Sequence, residues 1–170
     1  MLTTKGFSTE TGFTQIGFLI DDLSASQISY LSIHNTNEWL KNNFGLDIAV
    51  FCQFFGNIPC LTPSFARFHV RDISAYFGNL IATTLDNAKL LTNAPRTKKF
   101  YYINYPDWNL YDKEDLDLIY NDRSIIKFAR SEDYLRKIRE LGYDISNIVV
   151  EDFNIDKICE VLNGDKQRND

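Results

Sequence analysis

Arg130 and Ser131 are the pair of residues in this chain best placed to do chemistry. An apolar run, SIIKFA (124–129), stops at Arg130, and Ser131, Glu132 and Asp133 then open a stretch with Leu135, Ile138 and Leu141 at helical spacing. Such a junction sets a permanent cation and a hydroxyl beside the free N–H groups of a helix start, and together they can hold an anion. The plainer reading is that Ser131 is an N-cap and that Glu132 and Asp133 complement the helix dipole. Comparable polar residues end the other apolar runs: Asp21, Asp22 and Gln27 after FTQIGFLI (13–20), Thr83 and Thr84 after LIA (80–82), Tyr105 and Trp108 after FYYI (100–103), and Glu151, Asp152 and Asn154 after IVV (148–150). As a set they read as a polar rim with one aromatic wall. Taken singly, each residue suits a cap or turn, for which Asp, Ser, Thr and Asn are the usual choices.

Other motifs carry less. No G-x-G-x-x-G follows the first apolar run, and neither G-x-x-x-x-G-K-[ST] nor G-x-S-x-G occurs, so the standard phosphate loops and the nucleophile elbow are absent. His34 and His69 lack metal-ligand spacing, and no C-x-x-C joins Cys52, Cys60 and Cys159. Asp115-Leu116-Asp117 falls in a helical stretch, where its two carboxylates point to different faces of a solvated helix. Trp39 and Trp108 read as packing residues, with Trp108 also placed where a stacking platform would be useful. No cofactor and no metal is expected.

The elements that must position these residues alternate along the chain. Strand-like runs cover 13–20, 47–55, 65–70, 80–84, 100–103, 124–129 and 148–150. Helical spacing covers a stretch from the Ser24 or Ser26 cap to about Asn42, shorter stretches at 72–77 and 86–91, one capped by Asp112, one capped by Ser131 and ended by Gly142, and a last one at 155–162. Gly45 is expected to end the first helix in a left-handed cap. Residues 1–12 read as a polar arm, 13–163 as a single domain and 164–170 as a charged tail. Strands alternating with helices force crossover connections. The expected fold is therefore a single Rossmann-like α/β domain, with a mostly parallel sheet of six or seven strands and helices on both faces. In such sheets ligands bind beyond the carboxyl ends of the strands, where strand order reverses, and that is where the rim residues fall.

Composition narrows the classes. A hydrophobic fraction of 44% in 170 residues is enough to build a core without disulfide or metal. The net charge of −5, with Arg96-Thr97-Lys98-Lys99 as the densest basic run, argues against a nucleic-acid partner; that run reads as a solvated loop before a strand. No run reaches the about 20 apolar residues of a membrane span. Three cysteines and no apolar signal-peptide core point to a reducing compartment, the cytoplasm.

The segment SIIKFARSEDYLRKIRELGYDISNIVVEDFNIDKI (124–158) resembles the closing part of the amino-terminal domain of two-domain, GT-B type glycosyltransferases, with Ser131 and Glu151–Asn154 at the matching strand ends. The stretches IGFLIDDLSASQISY, GNLIATTLDNAKLL and YYINYPDW resemble small proteins of tailed phages that infect marine cyanobacteria, across residues 16 to about 160. The first resemblance implies a sugar or nucleotide ligand. The second implies a phage-encoded protein of the host cytoplasm or the virion. The chain departs from the glycosyltransferase pattern in two respects: Asp21-Asp22-Leu23-Ser24 replaces the Gly-rich loop, and 170 residues leave no room for the second domain that holds the sugar nucleotide. The expectation is thus a non-catalytic binding or assembly protein with a protein partner or self-association. The alternative is an enzyme or subunit acting on a sugar or nucleotide and completed by a second domain or partner chain.

Overall fold

A continuous apolar run can be a strand only if both of its faces are covered. The computed structural model, which describes residues 15–24, 26–43 and 47–164, meets that condition with helices on each side of one sheet. The strands are β1 (Gln15–Ile20), β2 (Asp47–Cys52), β3 (Ala66–His69), β4 (Gly78–Ala82), β5 (Thr97–Ile103) and β6 (Ile125–Ala129). Every neighbouring pair is parallel, in the order β3-β2-β1-β4-β5-β6. This is a doubly wound, Rossmann-like α/β sheet. The arm at 1–12, the first two residues of the 13–20 run, the Gly45 cap and residues 165–170 of the tail lie outside the described residues.

Helix α1 (Gln27–Asn42) and α5 (Ile155–Gly164) cover one face. There Ile33, Ile158, Val161 and Leu162 meet Ile16, Phe18, Val50, Ile81, Tyr102 and Phe128. Helices α2 (Leu85–Leu90), α3 (Lys113–Tyr120) and α4 (Glu132–Glu140) cover the other, burying Leu85, Ala88, Leu116, Ile119, Leu135 and Ile138 against Leu19, Phe51, Leu80 and Tyr101. Each helix starts where the sequence offers a capping side chain. Ser26, Thr84, Asp112 and Ser131 accept the backbone N–H of Ser29, Asn87, Asp115 and Tyr134.

Several expectations are corrected. The run Ile148–Val150 does not form a strand; it makes one parallel bridge, Val149 to Ala129, so the sheet has six strands. The 47–55 run stops at Cys52, because the Phe54 N–H turns back to the Asp21 carbonyl. The stretch at 72–77 is a 3-10 turn, Val70–Ala75. Thr97, Lys98 and Lys99, expected in a loop, are the first residues of β5. Leu141, expected on the buried face of α4, is the C-cap and is 43% exposed. The helix turns only far enough to bury Leu135 and Ile138 before Gly142 ends it at φ 89°.

Candidate functional site at the carboxyl edge of the sheet

Strand order reverses between β1 and β4. β1 leads through α1 to one side of the sheet, and β4 leads through α2 to the other. The crevice that this divergence opens is filled by a polar plug from the chain itself. The Thr83 N–H and hydroxyl both donate to the Leu19 carbonyl, at 3.2 and 2.9 Å. The buried Asn87 amide donates to that carbonyl at 3.3 Å and to Asp21 Oδ1 at 2.8 Å. The Thr84 hydroxyl lies 3.5 Å from the same Asp21 oxygen. Burial raises the Asp21 pKa, against the lowering effect of the Asn87 hydrogen bond.

Asp22 is held differently. It accepts the Ser24 hydroxyl and N–H at 2.5 and 2.9 Å and the Asn57 amide at 2.9 Å. The Ser24 hydroxyl is the main reason that its pKa is lowered. Where a phosphate-binding loop would aim free N–H groups, Ser26 accepts the Ser29 N–H and the Ser29 hydroxyl donates to the Asp22 carbonyl. The amino end of α1 is therefore turned toward its own chain.

Arg130 stands at the carboxyl end of β6, with 23% of its side chain exposed. Its guanidinium donates to Gln27 Oε1 at 3.4 Å and to Asp152 Oδ1 at 3.3 Å. The sequence suggested an anion beside Arg130, and the chain supplies one in Asp152. Glu132 and Asp133, in the first turn of α4, add two more negative charges there. Arg130, Gln27 and Asp152 thus come together, and the contacts of Asp21 and Thr84 form a separate group. Ser131 is the α4 cap. Asn154 opens α5, its Oδ1 accepting the Lys157 N–H at 3.0 Å. Trp108 packs edge-on against Tyr134, with ring centroids 5.3 Å apart. Tyr105 is more than half exposed.

The turn at 151–154 is strained. Asp152 and Phe153 both have positive φ, 47° and 58°, a conformation that bulky side chains rarely adopt. Packing enforces it. The Phe153 ring is buried against Phe18 and Tyr102. The Tyr102 hydroxyl donates to the Val150 carbonyl at 2.7 Å. The Asn35 amide donates to the Asp152 carbonyl from α1.

Sequence reasoning missed two sets of residues. The first is the set around Asp107, which the sequence did not single out. It is a buried carboxylate that accepts the Leu85 N–H at the start of α2, the Tyr101 hydroxyl and, at 3.5 Å, the Tyr120 hydroxyl. A Pro-Asp-Trp turn after a strand gives no local sign that its carboxylate will be buried. The second set is apolar and exposed: Phe54, Phe55 and Ile58, in the connection after β2. Phe54 and Phe55 had read as the end of the 47–55 strand run, so only Ile58, in the uncharged stretch before Pro59, carried a signal of its own.

On the α1 and α5 face, a groove of about 710 Å³ is lined by Asn35, Glu38, Trp39, Asp152 and Asp156 among others. Three of its carboxylates already have partners: Glu38 pairs with Lys41, Asp152 with Arg130, and Asp156 accepts the Trp39 indole N–H. Among the described residues, no group of three or more His, Cys, Asp or Glu side chains could hold a metal ion, and no helix is long and apolar enough to cross a membrane. No protein-family model, no curated protein and no solved structure matches the chain.

Proposed function

We propose that this chain is a non-catalytic binding protein that meets a protein partner at the carboxyl edge of its sheet. One observation carries the reading. Of the eight large apolar side chains exposed among the described residues, six belong to that edge: Phe54, Phe55 and Ile58 after β2, Tyr30 in the first turn of α1, and Tyr105 and Leu110 after β5. Exposed apolar side chains gathered at one place mark interaction sites. The polar groups that could have met a small ligand in the crevice, Asp21, Thr83, Thr84 and Asn87, are engaged with each other and with Leu19.

A second reading, a glycosyltransferase-like enzyme or subunit that binds a sugar or nucleotide, is favoured by the strand order alone, since ligands bind at such a switch point. Native mass spectrometry of the chain purified from its producing cells separates the two. The expected result is a protein adduct that is lost in the double variant Phe54→Ser, Ile58→Ser. A sugar- or nucleotide-sized adduct that survives those substitutions would establish the second reading instead.

A further inference from the structure

The carboxyl edge has a charge as well as an apolar content, and the two are arranged in a strip. The strands there run β2, β1, β4, β5. Phe54 and Ile58 leave β2 at one end of the strip, and Tyr105 and Leu110 leave β5 at the other. Between them stand Asp21 and Asp22 after β1, and Asp86 in the first turn of α2, which accepts the Tyr111 hydroxyl at 2.8 Å and lies 3.7 Å from the Lys89 ammonium. The Asn57 amide on Asp22 and the Phe54 N–H on the Asp21 carbonyl bind the apolar end to the acidic middle. Three strand spacings separate the ends, about 14 Å at about 4.8 Å each. That is roughly two and a half turns of helix or four residues of extended chain.

The charge is one-sided. The connections at 21–26, 53–65, 70–77, 83–84, 104–112, 130–131 and 151–154 carry seven carboxylates, Asp21, Asp22, Asp72, Asp107, Asp112, Glu151 and Asp152, against two cations, Arg71 and Arg130. Arg130 is itself paired with Asp152.

Resting on the binding reading above, we propose that the strip receives a short segment of a partner protein that is apolar at both ends and carries Lys or Arg in its middle. The apolar ends lie on Phe54 and Ile58 and on Tyr105 and Leu110, and the cation lies over Asp21 and Asp22. A second copy of this chain is a poorer fit, because an edge this acidic repels its own kind, and like charges brought together across an interface are costly.

The test uses the full chain and three labelled 12-residue peptides with Trp and Leu at their ends and Lys-Arg, Ser-Ser or Glu-Glu at their centre. Anisotropy at about 0.15 M salt, the physiological level, should show the Lys-Arg peptide binding at least about tenfold more tightly than the Ser-Ser peptide, a difference of about 1.4 kcal/mol. The Glu-Glu peptide should not bind. Phe54→Ser with Ile58→Ser, and separately Asp21→Asn, should each remove most of the preference. Leu118→Ser, an exposed position on α3, should leave it intact. Circular dichroism confirms that each variant is folded.

Equal binding of all three peptides, or a preference that survives both edge variants, overturns the proposal. So does sedimentation showing a dimer that the Ile58 variant dissolves. If native mass spectrometry finds an Ile58-dependent protein partner while the peptides show no charge preference, the strip assignment fails and the binding reading stands. If no partner appears either, both fail.

Discussion

Asp107 shows how a single buried carboxylate can serve a fold without serving chemistry. It sits under the first turn of α2 and accepts three donors, so that one side chain joins the 107–109 turn, α2, β5 and α3. Removing it leaves a helix N–H and two tyrosyl hydroxyls with no acceptor in a buried place. Asp107→Ala should therefore cost about 1–3 kcal/mol in urea unfolding. Burial raises its pKa above the ordinary 3.8. The folded chain thus binds this proton more tightly than the unfolded chain does. The group's favourable contribution is fully present below 3.8 and is lost as pH rises through the raised value. Asp107→Asn, which keeps the shape and cannot ionise, should flatten the decline of stability with pH above 3.8; parallel curves for the two proteins would refute this. At the β6 end the reverse holds. Ser131 caps α4, so Ser131→Ala should cost about 1 kcal/mol. Arg130 pairs with an Asp152 that is 71% exposed, so Arg130→Ala should change stability by no more than about 0.5 kcal/mol.

At the scale of elements, whatever is decided locally was legible in the sequence. Ser26, Asp112 and Ser131 announce helix starts because a cap needs only a side chain and the next turn of backbone, and each caps as expected. Strand runs were legible because burial on both faces leaves a continuous apolar stretch. What failed was long-range. Ile148–Val150 has strand composition, yet only Val149 bridges to β6, because the chain must turn at once into Phe153, whose ring fills the gap between Phe18 and Tyr102. The rim was legible as a location, since the connections do lie at the carboxyl edge, but its pairings were not. Nothing near Arg130 in sequence names Gln27 or Asp152 as its partners, and nothing near Asp21 names Asn87. Close approaches of backbone are equally invisible. Gly78 opens β4 at φ 126°, and a Cβ there would lie 2.8 Å from the Gln15 Cβ and 2.9 Å from its carbonyl oxygen. Gly78→Ala must strain the backbone and push β4 off β1, and should cost about 2 kcal/mol or more. Gly142 also has positive φ, but a Cβ there meets nothing within 4 Å. Gly142→Ala should cost only the left-handed penalty of about 1–2 kcal/mol. Urea midpoints of the two variants measure the difference, and a Gly142 variant that is as unstable as the Gly78 variant would show that the β1–β4 contact is not the cause.

For the whole molecule, charge decides the partner class more firmly than fold does, since a doubly wound sheet hosts many unrelated functions. The chain carries 18 Lys and Arg against 23 Asp and Glu, and the distribution sharpens the imbalance. Many of its cations are spent close by: Lys41 on Glu38, Lys89 on Asp115, Arg136 on Asp133, Lys137 on Glu140 and Lys157 on Glu160. Arg67 and Arg96 lie over the rings of Phe55 and Phe77, and Lys127 is buried, with its ammonium donating to the Asp122 carbonyl. Non-specific affinity for duplex DNA comes from cations that displace the counterions of phosphates, and it grows with their number. Cations held in such pairs release fewer counterions, and the carboxylates of the carboxyl edge repel the phosphates that would approach it. Random-sequence duplex DNA should therefore show no retardation at micromolar protein in about 0.15 M salt, the physiological level. Lowering the salt should not rescue binding, because weaker screening strengthens the repulsion as well. A retarded band whose strength rises as salt falls would place a cationic face on this molecule that its ion pairs and its edge do not provide.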